Sequence, residues 1–146
     1  MIGLDTSAII DLFRDDPALI RLLEQIDDTV VLSQISYLEL MFGLDFERRN
    51  DKTEEEYYDS LFNLYSVLPL DNISCKKAAK ISLALKKLGK SIGQFDCAIA
   101  GILLANGTNK ILTRNKKHFE NIKELKKLPK RWKVTENDWP RYFCNN

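Results

Sequence analysis

Cysteine and histidine are scarce in this chain: three of the first and one of the second among 146 residues. Cys75, Cys97 and Cys144 stand far apart, with no C-x-x-C pair. That argues against a disulfide framework or a structural zinc site and fits a reducing cytoplasm. No apolar run approaches the roughly 18 residues of a membrane helix. The N-terminus lacks a basic segment followed by a long apolar one, so no secretory signal is expected. There is no internal repeat, low-complexity tract or linker. Net charge is also nearly absent, at +1, and by itself points to no partner.

What is present is ordinary in amount and uneven in placement. Apolar residues make up 45% and charged residues 29%, as in a soluble globular protein. The length suits a single domain over residues 1–146. Residues 1–60 carry 15 acids and 5 bases, a balance of −10. Residues 61–146 carry 6 acids and 17 bases, a balance of +11. Solvated helix faces account for such a split, and so does an acidic site beside a surface that attracts a phosphate backbone.

Residues 2–5 read as a short strand. Helix follows over 7–14 and 17–26, broken near Asp16-Pro17, with Ile20, Leu23 and Ile26 as an apolar stripe. TVVLSQ (29–34) is β-branched and reads as the second strand. Helices are expected over 36–48 and 53–66, then a third strand at VLPL (67–70). Residues 74–88 form an amphipathic helix, with Ile81, Leu85 and Leu88 on one face, lysines opposite, and Gly89 as its stop. Helix 94–106 and strand KILT (110–113) follow, then a short helix at 117–125 and a fifth strand at WKVTE (132–136). This order predicts an α/β fold with a mostly parallel sheet of about five strands flanked by helices. Sites in such sheets lie beyond the carboxyl ends of the strands.

Asp5 stands at such an end, in MIGLDTSAII. Glu39 follows the second strand in SQISYLELMFG, where Ser36-x-x-Glu39 also reads as a capping box. Asp96 is the one charge in FDCAIAGILLA (95–105). A helix that apolar is buried, so its carboxylate must be paired, neutralised, metal-bound or eased by the free N–H groups of the helix start. Thr113 and Asn115 offer neutral oxygens after the fourth strand, among Arg114, Lys116 and Lys117. Three acids brought together repel one another unless a cation lies between them. Oxygen ligands suit Mg²⁺ or Mn²⁺, and the chemistry that needs such an ion is phosphoryl transfer or phosphodiester cleavage.

LDTSAII, YLELMFG, IGQFDCAIAGILLANG and ILTRNKKHF, in this order over residues 4–119, resemble the four motifs of PIN-domain nucleases, and more narrowly of VapC-type toxins. The resemblance implies a ribonuclease dependent on Mg²⁺ or Mn²⁺, with Asp5, Glu39 and Asp96 as metal ligands. Asn115 falls where many PIN domains carry a fourth acid. The departure leaves three negative charges, enough for one divalent ion and part of another. Thr6, Ser7 and Thr113 are candidates to support the ligands, and Arg114, Lys116 and Lys117 to hold RNA. A homodimer and a VapB-type antitoxin are implied as partners. A stand-alone RNA-processing PIN nuclease, or a PIN fold that only binds RNA or protein, is the alternative.

Two rival α/β classes fail on the residues. A haloacid-dehalogenase-like phosphatase needs a second acid where Ser7 stands, and a response-regulator receiver needs paired acids where Asp5 is single. His118 is expected to support its loop, with Phe119 anchored in the core. Tyr57, Tyr58, Phe62 and Tyr65 are expected to pack. The aromatic C-terminus, Trp132, Trp139, Tyr142 and Phe143, is expected to dock on the sheet or fill a dimer contact.

Overall fold

Alternating strand residues face two different cores, and this is what layers the molecule. The computed structural model describes residues 1–127. Its strands are β1 (Ile2–Leu4), β2 (Val30–Ser33), β3 (Ser66–Leu68), β4 (Lys110–Leu112) and the two-residue β5 (Lys126–Lys127). They form one parallel sheet in the order β3-β2-β1-β4-β5. Ile2, Leu4, Leu32 and Leu112 enter a core on one face; Val31 and Ile111 enter a second core on the other. A parallel sheet covered on both faces needs apolar side chains on both, and the short strands supply them. The fifth strand thus forms at 126–127; the strand expected at 132–136 and the aromatic C-terminus lie outside the described residues.

The first core is closed by α1 (Thr6–Phe13), α2 (Pro17–Gln25) and α4 (Arg49–Leu64). Asp15 takes a positive φ of 54° between α1 and α2, and Asp16 then caps α2 by accepting from the Ala18 and Leu19 N–H groups, with Pro17 in the first turn. Leu19 and Leu22 are the fully buried positions of α2; the expected stripe of Ile20, Leu23 and Ile26 is only half-buried beside them. Tyr58 is buried, and Tyr57 and Phe62 pack against the same core.

The second core is closed by α5 (Asn72–Lys87) and α6 (Gln94–Ala105). Ile81 and Leu85 are buried as expected, whereas Leu88 is 59% exposed because the helix ends one residue before it. Gly89 follows with φ 65°, the left-handed step that stops a helix. The helix α3 (Gln34–Phe42) links the cores, giving Leu40 to the first and Ile35 to the second. It ends six residues short of expectation. Asp45 and Asp51 bond to backbone N–H groups of the 45–47 turn, so the chain turns there instead of continuing the helix. The last short helix, α7 (Lys116–Phe119), also falls short of 117–125, and buries Phe119 fully.

α6 is seated closely against α5. A Cβ built on Gly101 would stand 2.7 Å from the Cβ and backbone N of Ala78 in α5, so the two helices touch backbone to backbone. Gly101→Ala is therefore expected to destabilise the protein by about 1–3 kcal/mol in a urea or thermal unfolding series. An unchanged midpoint would mean that α5 and α6 part without cost.

Candidate active site

β1 is the switch point of the sheet. The chain runs outward from β1 to β2 and β3, then returns to place β4 on the other side of β1. The carboxyl ends of β1 and β4 therefore lie side by side, and the Asp5 N–H donates to the Leu112 carbonyl at 3.1 Å.

Asp5 is only 3% exposed. It caps α1, with its Oδ1 accepting from the Ala8 N–H at 2.9 Å and from the Ser7 hydroxyl at 2.7 Å. Its Oδ2 accepts from the Thr113 hydroxyl at 2.6 Å. Burial raises its pKa above the ordinary carboxylate value; the bonds from Thr113, Ser7 and Ala8 oppose the rise, and the charge of Asp96 adds to it. The charge of Asp96, 91 positions later in the chain, is thus felt at Asp5.

Glu39 lies within α3, not at its start. Ser33 is the N-cap, its Oγ accepting from the Ser36 N–H at 3.0 Å. The capping-box reading of Ser36 and Glu39 is corrected by this earlier start. The Glu39 carboxylate is instead bound by the Thr6 hydroxyl, from the residue next to Asp5.

Asp96 sits in the first turn of α6, half-buried, and accepts from the Gly93 N–H. Burial raises its pKa, and His118 and the Gly93 bond oppose the rise. Nδ1 of His118 is 3.0 Å from its Oδ2. The helix-start reading and the paired reading of Asp96 therefore hold together.

The segment after β4 is bound to the start of α1. The Arg114 N–H donates to Ser7 Oγ and the Asn115 N–H to Thr113 Oγ1, both at 2.9 Å. Arg114 itself reaches Asp11, which is 6% exposed, with Nη1 2.7 Å from Oδ1. Lys116, Lys117 and the Asn115 side chain are exposed at the rim.

The fold thus brings Asp5, Asp96 and Glu39 to the carboxyl-end side of the sheet, with Thr6, Ser7 and Thr113 bonded to two of them. Among the described residues no three Asp, Glu, His or Cys side chains converge as a ready-made metal cluster. Each acid is held by a donor of the protein's own: Asp5 by Thr113 and Ser7, Glu39 by Thr6, Asp96 by His118. The donor chemistry suits a hard divalent ion, since every candidate ligand is an oxygen. Asp5 uses three of about four acceptor positions on its carboxylate, which leaves one open. One residue escaped the reading of the sequence. Asp11, a lone acid in AIIDLF, gave the same signal as Asp96, a charge among apolar neighbours. His118, expected to support its loop, also pairs with Asp96.

The PIN-domain family model matches residues 2–125. No curated protein sequence matches closely enough to add to this. Among solved structures, VapBC-1 from nontypeable Haemophilus influenzae contains a chain that is 30% identical, at a TM-score of 0.75, over 90% of this chain and 98% of its own. FitAcB from Neisseria gonorrhoeae is 25% identical at a TM-score of 0.77, over 92% and 100%. VapBC2 from Rickettsia felis, bound to a fragment of promoter DNA, is 21% identical at 0.77, over 88% and 98%, a likeness of fold. With the family's pattern covering nearly all the described residues, the chain belongs to the PIN-domain family.

Proposed function

We propose that this PIN domain is a metal-dependent endoribonuclease and the toxin of a VapBC-type pair, acting on RNA by phosphodiester hydrolysis. The observation that carries the reading is the buried Asp5 at the β1–β4 switch point, where the charge of Asp96 is felt, and beside the Thr6-bound Glu39. A carboxylate that burial and a like charge both oppose is relieved by a cation. Asp5, Glu39 and Asp96 would hold Mg²⁺ or Mn²⁺, which when bound supplies an activated water and neutralises charge on the phosphate. The protein's own part is positioning. Thr113 and Ser7 fix both oxygens of Asp5, Thr6 fixes Glu39, and His118 fixes Asp96. Asn115 lies exposed beside Thr113, where its amide can hold a water or a phosphate oxygen.

Solved complexes named as VapBC or FitAB assemblies support a protein antitoxin as partner. Phe42 and Phe46, at 70% and 63% exposure, are apolar surface of the kind that partner chains cover, whether an antitoxin or a second copy in a homodimer. Among the described residues no helix is long and apolar enough to cross a membrane.

Three outcomes test this reading. Single-stranded and structured RNAs should be cut with Mg²⁺ or Mn²⁺, not with EDTA, and Asp96→Asn should lower the rate by at least about 100-fold. A wild-type chain that cuts no RNA with either ion would leave a binding role instead. Thr113→Val should raise the metal concentration needed for half-maximal rate by about 10–100-fold, since it frees one oxygen of Asp5. The third concerns pH. Asp5 has a raised pKa in the fold, so its contribution to stability is complete below 3.8 and is lost as pH rises through the folded value. In EDTA, wild type should therefore lose melting temperature relative to Asp5→Asn over that rise, and Mn²⁺ should restore it. Parallel pH profiles for the two proteins in EDTA would contradict it.

A further inference from the structure

A cleft of about 540 Å³ opens beside Asp96. One wall is the 89–93 loop between α5 and α6, with Lys90, Ser91 and Gly93; the other is the α7 segment, with Lys117, His118 and Glu120. The left-handed step at Gly89 shapes the first wall. The Gly89 N–H returns to the Lys86 carbonyl at 3.0 Å and the Lys90 N–H to the Leu85 carbonyl at 2.9 Å, so the chain reverses and Lys90 starts the loop.

The cleft adjoins the acid site at Asp96. Gly93 and His118 line it, and both hold Asp96: one through its backbone N–H, the other through Nδ1. Its charge is opposite to that of the site. Lys90 and Lys117 are exposed in it, and neither forms an ion pair with a carboxylate among the described residues. Glu120 is the single acid of the lining. A polyanionic strand meets repulsion over the carboxylates and attraction in the cleft next to them. An arrangement of that kind seats a backbone by the phosphates beside the bond to be cut and leaves the acids for a cation.

We propose that the Lys90–Lys117 cleft carries the phosphate backbone of single-stranded RNA immediately to one side of the scissile bond. The proposal rests on the ribonuclease reading and adds the path of the strand, including Lys90, which lies outside the motifs that point to the family. His118 has a double place in it, holding Asp96 through one nitrogen while lining the cleft.

The test is equilibrium binding of a fluorescently labelled single-stranded RNA to the full chain, by anisotropy, in EDTA so that no cleavage occurs, over a salt series. Lys90→Ala/Lys117→Ala should weaken binding about 10-fold or more and lower the slope of log affinity against log salt by about 1.4, at about 0.7 per lost phosphate contact on a single strand. Lys90→Arg/Lys117→Arg should retain wild-type affinity and slope. Lys76→Ala/Lys80→Ala, on the exposed face of α5, should bind as wild type. A wild type that binds while the Lys90/Lys117 alanine variant matches it in affinity and slope overturns the cleft alone. An equal loss in the Lys76/Lys80 variant also overturns it, because the effect would then be one of general charge. A wild type that binds no RNA overturns the ribonuclease reading and the cleft together.

Discussion

A buried carboxylate at the end of the central strand is the constraint around which this protein is arranged. Asp5 is taken from water by the closure of two cores on either side of β1, and the fold answers with three donors from three different positions. One of them, Thr113, lies just past β4, 108 residues later in the chain. The bond between them is possible only because the sheet doubles back and lays β4 against β1. The topology and the site are thus one feature: the crossover that buries the core also joins the chemistry.

The donors make Asp5 tolerable without making it comfortable. Hydrogen bonds lower its pKa, yet burial and Asp96 outweigh them. Asp96 is in the same condition, with His118 and Gly93 as its partial relief. A protein built only for stability would replace such groups by apolar ones. Their presence supports the proposal of a cation site. The same economy governs the uneven charge of the chain. Arg114 from the basic portion binds Asp11 of the acidic portion, and Lys110 binds Asp28 at 2.7 Å, so part of the polarity is settled inside the fold. Arg114 is thereby tied to α1, whereas Lys116 and Lys117 lie exposed at the rim.

Much of this was legible in the residues, for identifiable reasons. Short β-branched runs separated by amphipathic segments predict a parallel sheet, and the helix over FDCAIAGILLA is buried as its composition requires. Asp5 and Asp96 stood out because a charge among apolar residues has few explanations. What sequence could not give was contact. Ser36 and Glu39 have the spacing of a capping box, but a helix that begins at Ser33 makes the spacing irrelevant, and Thr6 claims Glu39 through the tertiary fold. Asp11 with Arg114 and His118 with Asp96 are pairs across 103 and 22 positions, invisible to any local pattern. The end of α3 shifted because Asp45 and Asp51 bonded the turn that follows it.

The most direct measurement is calorimetric titration of Mn²⁺ into the metal-free wild type and into Asp5→Asn and Asp96→Asn. The account predicts saturable uptake by the wild type and loss of that uptake in both variants, with their folded circular dichroism spectra intact. No uptake by the wild type, or equal uptake by all three, would contradict the claim that these buried acids form a cation site.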